Sequence, residues 1–283
     1  MNKLQILFGP SAQWISVISW ISIFLALIGA FSPLFFIGYT AFLTDNSATN
    51  INQLQEIFGD PRFFHAVVNS SFLAIIISVM LTSISAFSAL IFRWCDLTGS
   101  RLVYGLSIVP LLIPDYVYGV VGRVICDPSI GLLSGWLPKD LLINRFSSLS
   151  VIAVISFLKW IPAMVAVADS SIFFMGQDEL YQARMDYKSF FKAARFVYIP
   201  QMKEVLLVIA SLGFLIGFRQ HELAYELNSG GGGFVAETWS YWNYEVMFGF
   251  AKLSHAALES ILILIILTIP IQIARKQAQR LSI

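Results

Sequence analysis

The stretch W-I-S-V-I-S-W-I-S-I-F-L-A-L-I-G-A-F-S-P-L-F-F-I-G-Y-T, residues 14 to 40, runs for 27 residues without an acidic or basic side chain. A helix needs about 20 residues to cross a hydrocarbon core of about 30 Å, so this run is long enough to span a bilayer. Ala66 to Phe92 repeats the pattern without a charge. A third run, over 102–121, is interrupted by Pro110, Pro114 and Asp115, and a fourth, over 149–168, is apolar apart from Lys159 and Pro162. Prolines are tolerated in such helices when neighbours cover the carbonyls they free. The last two runs, Val205 to Phe218 and Ser260 to Ala274, are short. At about 1.5 Å per residue the first of them covers only about 21 Å, so it must carry Arg219, His221 or Glu222 toward membrane depth, as the second must carry Glu259.

Composition agrees. Of the 283 residues 57% are hydrophobic and 12% charged, with mean hydropathy +0.75; a soluble domain carries about twice that share of charge. The sequence therefore predicts an all-α integral membrane protein, one transmembrane domain over 1–283. Its six helices are expected at about 14–40, 66–92, 102–121, 149–168, 202–222 and 256–274. The first run continues to Thr40 with no small-residue cleavage site after a short apolar core, so it reads as a retained helix. A net charge of +1 supplies no basic field for nucleic acid. Cys95 and Cys126 flank one apolar run and are expected on opposite sides of the membrane, which excludes a disulfide between them.

An even number of spans puts both termini on one side, and basic residues mark the cytoplasmic side. Eleven fall on the side of the termini, from Lys3 through Arg93, Arg101 and Arg184 to Arg280, against six on the other, with Lys159 inside a span. The termini are thus expected in the cytoplasm. The segments 45–60 and 127–145 then lie outside, and the long polar segment 176–203 lies inside.

That segment contains D-E-L-Y-Q-A-R-M-D-Y-K-S-F-F-K-A-A-R-F-V-Y-I-P, residues 178 to 200, with Leu180, Tyr187, Phe190, Phe191 and Ala194 at helical intervals among basic residues. By itself this pattern also describes a helix lying along lipid headgroups. The particular residues resemble the cytoplasmic coupling loop of ATP-binding-cassette importer permeases, which reads roughly E-A-A-x-x-D-G, an aromatic stretch, then I/L-P. Here Gln182, Ala183 and Arg184 stand at the first positions, Asp186 and Tyr187 at the Asp-Gly pair, and Ile199-Pro200 at the end; Gln182, Arg184 and Tyr187 depart from the pattern. Lys159-Trp160-Ile161-Pro162 is similar to the W-K-W-T-P of the carbohydrate-uptake branch, the maltose and glycerol-phosphate type. His221 to Asn228 followed by Ser229 and Gly230 to Gly233 is similar to F-D-L-V-Y-V-L-T-G-G-G-P. Glu237-Thr238, Tyr241, Tyr244, Phe248 and His255-Ala256-Ala257 ahead of Ser260 follow in the family's order, and Asp60-Pro61-Arg62-Phe63 and Pro128 to Leu133 resemble its external segments.

The resemblance implies an importer-permease (type I) fold and a subunit forming half of a sugar translocation pore in the bacterial cytoplasmic (inner) membrane. It implies as partners a second permease subunit, a cytosolic ATPase dimer and an extracytoplasmic solute-binding protein. ATP and magnesium would be bound by the ATPase and no cofactor by this chain. Glu179, Gln182, Ala183, Arg184, Asp186, Tyr187, Phe190 and Pro200 are the coupling residues it points to. The glycine run would lie near the binding-protein face. It lacks the Lys-Ser/Thr and the strand-to-helix setting of a phosphate loop.

Ionisable groups at membrane depth cost several kcal/mol unless they face protein or water. Lys159, Arg219, His221, Glu222 and Glu259 therefore either pair between helices, for example Arg219 with Glu222 or Glu259, or line the path. Asn69, Tyr116, Tyr118, Trp160 and Tyr225 join them as candidate sugar contacts, although tyrosine and tryptophan also anchor helices at interfaces. Asp115 and Asp169 are weaker candidates. The histidines His65, His221 and His255 have no metal-ligand spacing and no serine sits in a nucleophile elbow, so no catalysis is expected of this chain. Two alternatives stay open: a permease for another small solute, or an ion-coupled carrier using Arg219, Glu222, Glu259 and His221 as a relay.

Overall fold

The computed structural model describes residues 12–42, 47–95, 105–127, 129, 131–138, 141–173, 177–187, 189–228 and 236–281. All regular structure among them is helical. Two compact units divide the chain, one made of Met1–Ile57 and Val246–Ile265, the other of Phe58–Glu245 and Ile266–Ile283.

In the first unit, helix α1 (Ala12–Phe42) contains Pro33. Its large side chains are exposed, Trp20 at 69% and Phe35 at 77% among them, a surface that only lipid or another subunit can cover. Its polar groups turn inward on the helix itself. Ser32 Oγ donates to the carbonyl of Gly29, the group Pro33 leaves without an N–H, and Thr40 Oγ1 donates to the carbonyls of Phe36 and Ile37. Helix α2 (Ser47–Gly59) follows, with Gln53 accepting a hydrogen bond from Ser254 Oγ at 3.1 Å.

The second unit is organised around α3 (Pro61–Trp94). Asp60 caps it, accepting from the Arg62 N–H at 2.8 Å, and Pro61 stands in the first turn, where a missing N–H costs nothing. Phe63, Ala66, Ser70, Leu73, Ile77, Leu81 and Ala89 recur at helical spacing on its buried face, while Val68, Ile75, Val79 and Phe87 are exposed. The buried face packs on α6 (Arg145–Phe173) and on the helical run from Phe190 to Phe218.

Where one span is expected over 102–121, the described chain is helical over α4 (Val109–Leu112) and again over α5 (Asp115–Cys126). The break is at Ile113 and Pro114: the residue before proline is held extended, with ψ of 124°. Helix α7 (Gln177–Asp186) precedes α8 (Phe190–Ala193), which continues through a π turn at Ala194–Tyr198 into α9 (Ile199–Phe218). The wide turn falls next to Pro200, which cannot donate to the ladder; the Ile199 N–H reaches the Ala194 carbonyl five residues back.

Helix α9 meets α3 through glycine. A Cβ on Gly213 would lie 2.8 Å from Ser78 Cα and one on Gly217 2.6 Å from Ala74 Cα, and Ser78 Oγ donates to the Ala210 carbonyl at 2.7 Å. This is small-residue packing of membrane helices, in which close backbones replace a hydrophobic driving force. Helix α10 (Glu222–Asn228) approaches α5 as closely, since a Cβ on Gly119 would stand 2.7 Å from Glu226 Cβ. Helix α11 (Trp239–Tyr244) is capped by Thr238, and after a π turn at Glu245–Gly249 the chain ends in α12 (Leu253–Leu281).

Among the described residues four helices are long and apolar enough to cross a membrane: Trp20–Phe42, Pro61–Trp94, Arg145–Ile172 and Phe190–Phe218. Leu253–Thr268 is a shorter apolar stretch.

Candidate functional site

Helix α9 ends at Phe218, just before the polar residues Arg219 to Glu222 arrive, so these groups occupy a turn between α9 and α10 instead of the end of one continuous span. There they line a cavity of about 290 Å³ together with Asp115, Trp160, Ile216 and Ser240. The site thus gathers four of the predicted path residues, Trp160, Arg219, His221 and Glu222, from α6 and the α9–α10 turn. Asp115 opens α5, directly after the break at Pro114.

Lys159 lies next to Trp160 and is buried. Its Nζ donates to Asp115 Oδ1 at 2.6 Å and to the Ile113 carbonyl at 2.9 Å, and lies 5.3 Å from the centre of the Tyr118 ring. One ammonium therefore answers both a carboxylate and a carbonyl left without a helical partner by the break at Ile113. Glu222 Oε2 accepts from the Tyr116 N–H at 2.7 Å, at the N-terminal turn of α5 where negative charge is favoured. The pairing of Arg219 with Glu222 does not form among the described residues, Glu222 being turned to the Tyr116 N–H. Glu259, fully buried in the other unit, lies 3.3 Å from His255 Nε2. Among the described residues the Arg219 side chain has no hydrogen-bond or ion-pair partner, and Trp160 Nε1 and His221 Nε2 are buried without one.

His221 belongs to an aromatic cluster, parallel to Tyr225 at 6.1 Å and edge-on to Tyr244 at 4.8 Å and Tyr241 at 6.3 Å. Tyr225 is partly exposed, and Tyr116 is exposed outside the cavity lining. Asn69 serves a different purpose. It is buried, donating to the Glu237 carbonyl at 2.7 Å and accepting from Arg145 Nε at 2.7 Å. Its amide is spent on joining α3 to α6 and to the segment before α11. Arg62 completes that junction with a two-pronged bond to Glu237, at 2.8 and 3.0 Å, and a face contact on Trp242 at 4.6 Å. Burial pushes the Glu237 carboxyl upward from its ordinary pKa, against the downward pull of Arg62.

At the other end of the same helices lies the segment 177–203. Ala183, Ala193, Ala194 and Tyr198 are buried in the core, whereas Glu179, Gln182, Met185, Asp186, Phe191, Phe196 and Pro200 are exposed. Tyr187 stands where the importer pattern has glycine. No described residue other than Ala251 combines a side chain with positive φ, so the turn at Tyr187 does not need glycine; the ring stacks on Phe196 at 6.1 Å. Phe190 sits edge-on to Trp94 at 5.6 Å and Phe87 at 6.3 Å. Arg184 donates to the Arg93 carbonyl at the C-terminal end of α3 and faces the rings of Trp94 and Tyr181. Arg93 in turn grips Asp169, fully buried in α6, with bonds of 2.7 and 2.8 Å. Sequence reasoning named Arg184 and held Asp169 as a weak candidate. It gave no site role to Arg62 and Glu237, quoted only within family-like segments, nor to Arg93, Gln220 and Ser240; the signal at Arg93 and Gln220 is a polar residue at the end of an apolar run. The glycine run 230–233 lies outside the described residues.

No protein-family profile and no curated protein matches the chain in sequence. In structure it is similar over 99% of its length to a chain of a bacterial ABC transporter involved in the import of the acidic polysaccharide alginate, with TM-score 0.80, 15% identity and 99% of that chain covered. A bacterial alginate ABC transporter in complex with alginate pentasaccharide-bound periplasmic protein contains a chain similar at TM-score 0.80 and 14% identity, with 99% of each chain covered. The all-α membrane fold of this chain is thus one found in bacterial ABC importers, shared from end to end.

Proposed function

We propose that the chain is the membrane-spanning permease subunit of an ATP-driven sugar importer, forming half of a pore and coupled through 177–203 to a cytosolic ATPase. The observation that carries this reading is the end-to-end fold similarity to chains of importers that handle a polysaccharide, one of them bound to a periplasmic protein. Six motifs of the carbohydrate-uptake pattern, in order along the chain, support it. So does the exposed face of α7 and α8, where Met185, Phe191 and Phe196 leave apolar surface next to Gln182 and Asp186, a surface suited to a protein partner. The chain would contribute no hydrolysis of its own; ATP and magnesium belong to the ATPase. ATPase closure would shift α7 and, through Arg184, the ends of α3 and α6, biasing the pore between inward-open and outward-open states. Of the four residues named for the ion-coupled alternative, Glu222 is held by the Tyr116 N–H and Glu259 lies against His255, which favours the importer reading over a relay.

Purification of the tagged chain from its native membrane is expected to bring down a nucleotide-binding subunit and a second membrane subunit. Asp186 is exposed and its side chain is unbonded among the described residues, so Asp186→Ala is expected to leave insertion intact while uptake is abolished and ATP hydrolysis uncoupled. The helix-breaking Ala193→Pro has the same expectation. Unchanged uptake in both variants, or gradient-driven uptake by the chain alone, overturns the reading.

A further inference from the structure

We infer that α3 and α6 are clipped into one rigid strut, with Arg93 and Asn69 as its positioning residues, which carries movement of 177–203 to the wall of the cavity at the opposite end. This rests on the importer reading and supplies the route by which the coupling segment acts on that site.

Two polar clips join the helices, and they stand in one register. Arg93 of α3 bonds both oxygens of Asp169 of α6, and Asn69 of α3 accepts from Arg145 Nε of α6; the partners are 76 residues apart in each clip. An equal offset means that α3 and α6 run parallel, with the same length of helix between the clips on both. From Asn69 to Arg93, as from Arg145 to Asp169, that length is 24 residues, or about 36 Å, so the clips stand near the two edges of a hydrocarbon core of about 30 Å. Between them Phe72 meets Phe146 edge-on at 6.1 Å, and Leu73, Ile77, Leu149 and Ile152 are buried. Apolar faces alone let membrane helices slide, since lipid covers them equally well. One clip would leave a pivot; two at a common offset prevent sliding and splaying together. Asp169 is fully buried, and a buried charged pair seldom stabilises more than apolar residues of similar volume, so what it adds with Arg93 is fixed geometry.

Each end of the strut holds a further segment. Arg184 of α7 donates to the carbonyl of Arg93 itself, while Phe87 and Trp94 receive the ring of Phe190. At the opposite end Asn69 donates to the Glu237 carbonyl at 2.7 Å, and Ser70 Oγ accepts from the Trp239 N–H at 2.8 Å. Thr238, between these two, donates to the carbonyl of Gln220, and Gln220 and Ser240 both line the cavity. A displacement of α7 that moves Arg93 therefore moves the cavity wall as part of the same body, the rigid-body form of such transitions.

The test uses the complex purified through the tagged chain, in lipid nanodiscs, with both native cysteines replaced by serine and Ser240→Cys as the reporter. The readout is the rate at which a small methanethiosulfonate reagent modifies the reporter thiol, compared without nucleotide and with Mg-ATP and vanadate. In the reporter chain the two rates are expected to differ severalfold. Arg93→Met combined with Asp169→Leu is expected to keep the melting temperature and the copurifying nucleotide-binding subunit while bringing the ratio of rates near one. Arg93→Lys, which keeps the charge without the two-pronged geometry, is expected to fall between, and Arg145→Met at the opposite clip to lower the ratio as well. A contribution to stability alone leaves the ratio unaltered wherever the melting temperature holds. An unaltered ratio in the double variant at unchanged melting temperature overturns the strut; if that variant melts early, an unaltered ratio in both Arg93→Lys and Arg145→Met does so. Equal rates in the reporter chain itself, although a nucleotide-binding subunit copurifies, overturn the strut alone; if no such subunit copurifies, the importer reading beneath it falls as well.

Discussion

Lys159 shows what one residue can and cannot disclose. An ammonium inside an otherwise apolar run must be answered, and that much is legible from its position. Its partner is not, because Asp115 stands 44 residues away beyond a helix break and no local rule connects them. The same limit explains Asn69: an amide in an apolar helix signals a polar task but not which, and the task is structural. It also explains Arg219, for which pairing with Glu222 and lining the path were equally open on sequence; the folded chain turns Glu222 to the Tyr116 N–H and leaves Arg219 on the cavity. The Lys159–Asp115 pair makes a stability prediction. Asp115→Asn leaves the buried ammonium with neutral carbonyl oxygens and no countercharge and is expected to cost about 3 kcal/mol, read as a lowered melting temperature of the purified protein in detergent. Lys159→Met together with Asp115→Leu, which removes both charges, is expected to recover most of that loss. A single variant as stable as wild type would show that the pair is not what holds the broken helix to α6.

At the scale of elements, hydropathy locates the long helices well because a span must be apolar over a fixed length. It places ends poorly where function intrudes. Helix α9 stops at Phe218 before the charges expected to be dragged into it, and the run around Pro114 divides into α4 and α5. Helix contacts were not legible at all, since glycine in a membrane helix marks a close approach only when the neighbour is known. Gly217→Leu supplies a check. Its Cβ would stand 2.6 Å from the backbone of Ala74, which cannot rotate away, so α3 and α9 must separate. The expected result is a loss of about 1–3 kcal/mol or more and faster trypsin cleavage in detergent. Gly29→Leu in α1, where nothing lies within 4 Å of the added atom, is expected to leave both measurements near wild type.

For the whole molecule, the order in which segments face the two sides of the membrane decides whether 177–203 can meet a cytosolic partner. The basic residues argue for this order, and the two cysteines make it measurable. Both thiols are free; Cys95 is exposed just after α3 and Cys126 is half-buried at the end of α5. With cytoplasmic termini, Cys95 lies on the cytosolic side with Arg93 and α7, and Cys126 on the outer side. In a Cys126→Ser protein, a membrane-impermeant maleimide is expected to label Cys95 in inside-out vesicles and spare it in right-side-out ones. In a Cys95→Ser protein the preference is expected to reverse. Burial pushes the Cys126 thiol upward, and only the thiolate reacts. Its labelling is therefore expected to be slow at neutral pH and to accelerate as pH rises past the ordinary thiol range. Labelling of both cysteines from one side would remove the topology on which the coupling role of Asp186 depends, whatever the fold.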